Sequence, residues 1–188
     1  MTHTNKQTDC VQQTKRWLQD VIIENNFCPF AKKEFDAGRI RFVDCEETEK
    51  EKILSALIDE CQRLDTDRAI ETTLIIFSRG LNDFDQYLNI VELADELMNL
   101  QGYEGVYQLA TFHPGYVFAG ADEMDAANFT NRSPLPLLHL IREASLEQAL
   151  INYPDPESIP ENNINKAREL GMTYFLRVLT NIKGKYSD

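Results

Sequence analysis

One continuous run of apolar and β-branched residues, TTLIIF at 72–77, constrains the fold of this chain more than any other segment. Such a run is typical of a strand buried on both faces, because a solvent-facing strand would alternate apolar with polar residues. Helical periodicity flanks it at 48–64 and 83–100, and further strand patterns lie beyond, at 39–43 and 105–112. Strands and helices alternating in this order favour right-handed parallel crossovers. The sequence therefore predicts an α/β fold with a small three-stranded, mainly parallel sheet covered by helices.

The segments around this core are predicted to be mostly helical. Apolar residues recur at helical spacing in 8–26, and from Ser133 the chain is expected to form a helical C-terminal region, with a first helix at 133–143. A long helix with one apolar face is predicted to contain Ile164 and Ile182. The alternative, a ferredoxin-like α+β fold, needs an antiparallel strand, for which the weak candidate is YVFAG at 116–120.

The chain is predicted to be a single domain spanning residues 1–188. Its length suits one hydrophobic core, and no flexible linker or internal repeat interrupts it. The polar N-terminal sequence, MTHTNKQTDC, lacks the apolar core of a signal peptide, and no run approaches the roughly 20 apolar residues of a membrane span. We therefore expect a soluble, cytoplasmic protein with no membrane partner.

The composition is acidic, and this limits the partners of the chain. The 31 acidic and 19 basic residues give a formal net charge of -12, which repels phosphate backbones, so no nucleic-acid partner is expected. The four cysteines show no paired close spacing, which favours reduced thiols over a disulfide framework or a zinc ribbon. They are Cys10, Cys28, Cys45 and Cys61.

Polar side chains follow the predicted strands at the edge where open α/β sheets bind ligands. Arg79 comes shortly after the second strand, and His113 directly follows the third. A short helix predicted at 29–37 should run against the first strand, which places its N-cap, Cys28, at the same edge. The sequence therefore predicts that Cys28, Arg79 and His113 lie close together.

Two interpretations remain open for Cys28 and His113. A thiol at a helix N-terminus, with Lys32 and Lys33 one turn on, is in an environment that lowers the pKa of cysteine. Cys28 could then act as a nucleophile with His113 as its base. Alternatively, Cys28 is a small buried residue and His113, which precedes Pro114, anchors a loop by bonding to a carbonyl group.

The segment NFTNRSPLPLLHLIRE at 128–143 supplies further candidate ligand-binding residues. In the predicted helix, Ser133 is the N-cap, and three- and four-residue spacing places His139, Arg142 and Glu143 on one polar face. The guanidinium of Arg132 suits a carboxylate or phosphate. The alternative is an ordinary solvated helix face. The candidate ligand-binding residues are Arg79, Asn128, Asn131, Arg132, Ser133, His139, Arg142 and Glu143.

No metal site and no particular cofactor is predicted. The carboxylates of Asp122, Glu123 and Asp125 could bind a hard cation together with Asn128, but their spacing does not match the twelve-residue calcium loop. A transition-metal site would need at least one close pair of ligands, and the histidines and cysteines of the chain do not provide one.

Three sequence blocks together resemble the DUF1415 family, a group of bacterial and plant proteins sharing a domain of unknown function. The blocks are NFCPFA at 26–31, LATFHPGYVFAG at 109–120 and NFTNRSPLPLLHLIRE at 128–143. Leu135 is one departure, since we expect an aromatic residue there in many members, which affects packing more than chemistry. The resemblance implies no particular activity. It does imply which residues of this chain occupy the family's motif positions: Cys28, Pro29, Phe30, His113, Pro114, Asn128, Asn131, Arg132, Ser133, Pro134, His139, Arg142 and Glu143.

The leading functional prediction is an enzyme acting on a small anionic molecule, of the hydrolase or transferase type. In this prediction Arg79 and Arg132 bind the anion, His113 transfers a proton and Cys28 is the nucleophile. One alternative is a non-catalytic ligand-binding or regulatory protein that uses the same arginines. Another is a protein-interaction module that docks a partner on SPLPLLHL, residues 133–140, and on the C-terminal helix.

Overall fold

A four-stranded mixed sheet forms the centre of the molecule. The computed structural model describes residues 3–151 and 153–184. The strands are β1 (Ile40–Cys45), β2 (Thr72–Phe77), β3 (Tyr107–Phe112) and β4 (Leu137–Arg142). Their spatial order is β1-β2-β4-β3, with β1 parallel to β2, and β4 antiparallel to both of its neighbours. The carboxyl ends of β1, β2 and β3 therefore share one edge of the sheet.

Helices cover both faces of this sheet. They are α1 (His3–Trp17), α2 (Ala31–Asp36), α3 (Lys50–Thr66), α4 (Phe84–Leu100), α5 (Glu143–Ile151), α6 (Ile159–Leu170) and α7 (Met172–Gly184). A π-helix (Leu18–Ile23) continues α1, and short 3-10 helices lie at Ala126–Thr130 and Pro156–Ser158. Ile75 and Leu140 pack with α3 and α4 on one face, whereas Leu74 and Leu137 pack with α1, α6 and α7 on the other.

The predicted α/β class is confirmed, and so are the three strands with the helices that connect them. The three-stranded, mainly parallel sheet is wrong because it lacks β4. The antiparallel strand that the ferredoxin-like alternative required exists, but it is Leu137–Arg142 and not the candidate at 116–120, which forms no strand.

The helix predicted at 133–143 is therefore wrong. Both faces of β4 are covered, so its apolar residues occur at odd and even positions alike: Leu137 lies on one face, and Leu138 and Leu140 on the other. A short apolar run without alternation does not distinguish a buried strand from a buried helix. In the strand, His139 and Arg142 lie on opposite faces, since successive side chains alternate.

Two helix boundaries also differ from their predictions. The long C-terminal helix is interrupted at Gly171, whose φ of 76° separates α6 from α7. The short second helix begins at Ala31, with Phe30 as its N-cap residue, so Cys28 lies in the preceding loop. Within the described residues, no helix combines the length and hydropathy needed to cross a membrane. Residues 1–2 of the polar N-terminal sequence and the last residues of the predicted domain, 185–188, lie outside the described part.

Candidate functional site

A cleft of about 290 Å³ lies at the carboxyl end of β3, beside the first turn of α6. Most of the side chains that line it are apolar, and no charged side chain of the described residues is among them. The polar members are Cys28, Thr130, Asn131 and Asn163. The apolar members are Ile22, Phe27, Phe112, Phe118, Ile159, Pro160 and Ile164.

The π-helix positions one wall of the cleft. At its carboxyl end the Glu24 amide donates to the Gln19 carbonyl at 3.0 Å, and just beyond it the Phe27 amide donates to the Ile22 carbonyl at 2.9 Å. Asn26 then adopts a left-handed backbone conformation with φ of 56°, which asparagine tolerates better than most residues, and the chain reverses towards the loop before α2. Both Ile22 and Phe27 consequently line the cleft. Single π-helical turns are frequent at functional sites.

An ion pair holds α6 against the 3-10 helix Ala126–Thr130 on another side of the cleft. The guanidinium of Arg168 donates to both carboxylate oxygens of Asp125, at 3.1 and 2.7 Å. Asp125 also accepts the backbone amide of Ala127 at 2.9 Å. The hydrogen bonds from Arg168 and Ala127 lower the pKa of Asp125 to about 2. This contact helps to fix the distance between α6 and the residues Thr130 and Asn131.

Arg132 holds the loop that carries Phe118. Its Nε donates to the carbonyl of Tyr116 and its Nη2 to the carbonyl of Glu123, both at 2.9 Å. The guanidinium lies 4.8 Å from the centre of the Phe129 ring, and burial lowers the pKa of Arg132. Its main-chain carbonyl accepts the indole N–H of Trp17 at 2.9 Å. Arg132 thus acts within the protein, and it does not line the cleft.

The side chains of Asn128 and Asn131 hold the loop that carries Phe118 and the end of β3 through hydrogen bonds to the main chain. The fully buried Asn128 accepts the Phe118 amide at 3.0 Å and donates to the Asp122 carbonyl at 2.8 Å. Asn131 donates from its side chain to the Thr111 carbonyl at 3.1 Å, and its own carbonyl accepts the His113 amide at 3.1 Å. Of these two predicted ligand-binding residues, Asn131 lines the cleft.

Cys28 also lines the cleft, but its thiol is not activated. Burial raises the pKa of Cys28, and hydrogen bonds from the backbone N–H groups of Phe30 and Ala31 oppose this only in part. This direction is opposite to that expected for a helix N-cap thiol, because the effect of burial exceeds that of the backbone N–H groups. The thiol is therefore protonated near neutral pH. None of the four cysteines of the chain forms a disulfide.

His113 is buried, and the main chain occupies both of its ring nitrogens. Nδ1 accepts the Gly115 amide at 3.0 Å, so Nε2 carries the hydrogen and donates to the Leu81 carbonyl at 2.9 Å. The ring centre lies 5.1 Å from that of Phe84 and 5.0 Å from that of Tyr87, and burial lowers the pKa of His113. The ring is neutral and anchors a loop. No hydrogen bond joins it to Cys28, so the described structure does not form the nucleophile–base pair.

The remaining candidates near the carboxyl edge also have partners within the protein. The guanidinium of Arg79 is 48% exposed and lies 3.3 Å from a carboxylate oxygen of Glu46. The buried hydroxyl of Ser133 donates to the carbonyl of Leu135 at 2.6 Å instead of capping a helix. Neither residue lines the cleft.

Arg142 and Glu143 lie at the opposite edge of the sheet, because β4 runs antiparallel to β3. Arg142 pairs in register with Tyr107, the first residue of β3, roughly 17 Å along the strand from Leu137. Its buried guanidinium donates to carbonyls at and beyond the carboxyl end of α3, those of Leu64, Asp67 and Ile70. Glu143, which begins α5, follows it at this edge. These two residues are therefore separated from Cys28.

His139 lies in the middle of β4 and bonds to the adjacent strand. Its Nε2 is 2.6 Å from the hydroxyl of Thr72, and that hydroxyl donates to the Leu140 carbonyl, so the histidine must be the donor in their shared bond. Burial lowers the pKa of His139 to about 4. The ring is neutral at physiological pH, and it joins β4 to β2 through its hydrogen bond to Thr72.

A second, wider groove of about 770 Å³ lies between the π-helix and α7. Its lining includes Asp20, whose carboxylate pairs with Arg16 at 3.3 Å, as well as Glu24 and Tyr174. None of the predicted site residues lines it. Within the part of the chain that the structure describes, no group of three or more histidine, cysteine, aspartate or glutamate side chains is placed to hold a metal ion.

Several residues of the cleft were not predicted from the sequence. The sequence pattern places Ile164 on the apolar face of a helix, which gives no sign that part of this face borders an opening. Asn163 lies next to it, and its half-buried amide donates to the Phe27 carbonyl at 2.7 Å. A single asparagine on an amphipathic helix has no sequence signal of its own. The contact joins residues 136 positions apart and is visible only in the fold.

The fold and this cleft define a mixed α/β protein with a small uncharged opening at the carboxyl edge of its sheet. The chain belongs to the family described as Protein of unknown function (DUF1415), whose family model matches residues 9–177 of the 188. The matched region includes all three sequence blocks that carry the resemblance, which is confirmed. Neither the curated proteins nor the solved structures compared with this chain gave a match.

Proposed function

We propose that this protein binds a small, uncharged and mostly apolar molecule in the cleft, without covalent chemistry. The observation that carries the proposal is the lining: apolar and aromatic side chains with a few neutral hydrogen-bonding groups, and no charged one among the described residues. Ligand sites commonly combine these features. A cavity of about 150 Å³ can hold benzene, so about 290 Å³ suits a molecule of roughly two fused rings.

The states of Cys28 and His113 favour binding over catalysis. A protonated thiol is a weak nucleophile, and burial raises the pKa of Cys28. A base near that thiol would activate it, but both ring nitrogens of His113 bond to the main chain. Catalysis by this pair would need both groups to leave their present partners.

The arrangement of the arginines favours an uncharged ligand over an anionic one. Arg132 donates to two loop carbonyls, and Arg79 pairs with Glu46 outside the cleft. An anion entering the cleft would lose its hydration without gaining an opposite charge, which is unfavourable. The enzyme acting on an anionic molecule stays a prediction with less support.

The interaction-module alternative also has less support. Within the segment proposed to dock a partner, Leu137, Leu138 and Leu140 are buried in the sheet and therefore cannot contact another protein. The large exposed apolar side chains of the described residues include Leu100, Met124 and Ile151, and each lies on a different part of the chain. Scattered apolar residues of this kind are normal on a soluble protein.

The experiment compares two ligands that differ in charge, naphthalene and 2-naphthoate, by ligand-observed NMR and by titration of the 15N-labelled protein. We expect naphthalene to bind and 2-naphthoate to bind at least about tenfold more weakly, because the carboxylate lacks a countercharge. Ile164→Trp should fill the cleft and abolish naphthalene binding. Leu176→Trp, at a side chain of α7 that is 48% exposed, is the matched control and should leave binding unchanged. Tighter binding of 2-naphthoate, or naphthalene binding that is absent or insensitive to Ile164→Trp, would overturn the proposal.

A further inference from the structure

We infer that the ligand of the cleft is a planar lactam or a closely related cyclic amide, and that Asn163 recognises it. This inference rests on the proposed function and adds the chemical class of the ligand. It starts from the side-chain amide of Asn163, which lines the cleft and is only partly satisfied by the protein. A carboxamide has two N–H donors and one carbonyl acceptor.

The protein uses one of these groups and leaves the others for a ligand. Nδ2 of Asn163 donates one hydrogen to the carbonyl of Phe27 at 2.7 Å, which fixes the orientation of the amide. Among the described residues, the second N–H and the carbonyl oxygen Oδ1 have no hydrogen-bond partner. We infer that Phe27 takes the hydrogen on the side away from Oδ1, so that the remaining N–H lies beside Oδ1. This pair matches a molecule that also presents an N–H beside a C=O. A cyclic amide has this arrangement.

The aromatic side chains of the cleft favour a flat ring system. Phe27, Phe112 and Phe118 all line the opening, and each is held by another ring. Phe27 stacks with Phe175 at 6.1 Å between ring centres, Phe112 meets Trp17 edge-on at 5.1 Å, and Phe118 meets Tyr116 edge-on at 5.1 Å. Rings that are already fixed lose little conformational freedom when a ligand packs against them.

Other neutral polar groups of the cleft, those of Asn131 and Cys28, add to the selectivity for an uncharged ligand. Asn131 donates one side-chain N–H to the Thr111 carbonyl, and its Oδ1 lies 3.1 Å from the Thr130 hydroxyl. The single hydrogen of that hydroxyl is shared with the Ala127 carbonyl, which lies closer at 2.9 Å. The Cys28 thiol is a weak donor beside them. Among the described residues, Asn163 thus has fewer side-chain bonds to the protein than Asn131.

Three probes of similar size test this inference: naphthalene, 2-quinolone and N-methyl-2-quinolone. The two quinolones share ring and carbonyl group, and the methyl group removes the N–H donor. One hydrogen bond typically contributes enough to change affinity about fivefold to tenfold. We expect 2-quinolone to bind about tenfold more tightly than N-methyl-2-quinolone, and we expect this ratio to fall to about one in Asn163→Leu.

Naphthalene reports whether the variant cleft is intact, since it needs no hydrogen bond. If Asn163→Leu alters naphthalene binding, Asn163→Ala takes its place, because alanine adds no bulk and lacks the carbonyl acceptor that the N–H of 2-quinolone needs. A measurement on the unaltered protein supplements both: the side-chain amide resonances of Asn163 should shift with 2-quinolone and much less with naphthalene.

The outcomes separate this inference from the function on which it rests. If naphthalene does not bind to the unaltered protein, the proposed function fails. If naphthalene binds but the two quinolones bind equally, the proposed function stands and the lactam inference is overturned. A preference for 2-quinolone that persists in both Asn163 variants, or that leaves the Asn163 resonances unmoved, also overturns the lactam inference.

Discussion

The hydroxyl of Tyr87 donates to the carbonyl of Leu137 at 2.8 Å and so connects α4 to the first residue of β4. The same hydroxyl accepts the backbone amide of Phe112 at 3.1 Å. Phe112 and Leu137 are register partners on adjacent strands, so a side chain bridges the two backbones where β3 ends. Because Phe112 also lines the cleft, this bridge couples the packing of α4 to the position of one cleft wall.

Substitution of Tyr87 by Phe should therefore lower stability and weaken ligand binding together. The change leaves the Leu137 carbonyl and the Phe112 amide without their shared partner in a buried place, which typically costs about 1–3 kcal/mol of unfolding free energy. Urea denaturation measures the loss, and naphthalene titration measures the binding. Tyr103→Phe is the control, because its hydroxyl bonds to an exposed Asp65 at 3.0 Å, and it should cost less than about 1 kcal/mol. A Tyr87→Phe protein as stable as the unaltered one would refute the bridge.

Arg142 should matter for stability and not for the cleft. Arg142→Met removes the donors to the carbonyls beyond the end of α3, and it should lower the unfolding free energy by about 2–4 kcal/mol, since hydrogen bonds from charged groups are the stronger kind. Arg142→Lys keeps the charge but loses the planar fork, so we expect an intermediate loss. Both variants should bind naphthalene normally at a temperature where they are folded. Selective loss of ligand binding with unchanged stability would place Arg142 in the site after all.

The sequence predicts those parts of this molecule whose pattern has one physical explanation. TTLIIF lies between two predicted helices, and its six residues are too few for another helix, so the pattern indicates a strand. LPLLHLIR, in contrast, has a length and a leucine content that suit either a strand or a helix. The error at β4 then carries over to the site, since a helix would have put His139, Arg142 and Glu143 on one face. The strand-edge rule placed Cys28 at the carboxyl edge of the sheet, where Cys28 lines the cleft. It could not give the pKa direction of Cys28, which is set by burial in the fold, nor the tertiary contact of Asn163.

Folding stability should fall as the pH is lowered from 7 to 5, and His139 should contribute to this fall. Burial lowers the pKa of His139 from its ordinary value of 6.5 to about 4. Between these values the unfolded chain takes up a proton that the folded protein does not, so stability decreases with decreasing pH. We expect a contribution of about 1–2 kcal/mol over this range, measured by urea denaturation at each pH.

The matched variant for this pH dependence is His139→Gln, which can still donate to Thr72 but does not titrate. Its stability should change less between pH 7 and 5 than that of the unaltered protein. A remaining dependence of the same sign is expected from His113, because burial lowers the pKa of that histidine too. Identical pH profiles for the variant and the unaltered protein would contradict the assignment to His139.

Arg132 should control the order of the loop that supplies Phe118. Arg132→Gln removes the fork that joins the carbonyls of Tyr116 and Glu123, so the loop should open more often and its amides should exchange hydrogen at least about tenfold faster. Hydrogen–deuterium exchange of residues 116–125 measures this. Arg79→Gln, which removes an exposed ion pair elsewhere, should leave the same amides unchanged. Equal exchange in Arg132→Gln and the unaltered protein would mean that other contacts hold the loop.

Alkylation of Cys28 by iodoacetamide, followed by peptide mass spectrometry over a range of pH, tests the catalytic prediction and the binding proposal together. Because burial raises the pKa of this thiol, the midpoint of reactivity should lie above the unperturbed value of about 8.5, and it should be the same in His113→Gln. The thiols of Cys45 and Cys61, which are buried, report any global unfolding of that variant. Since Cys28 lines the cleft, saturating naphthalene should slow its alkylation and leave the other two thiols unaffected. A midpoint well below 8.5 that rises in His113→Gln would instead restore the cysteine–histidine pair, and the search would return to thiol chemistry on an anionic substrate.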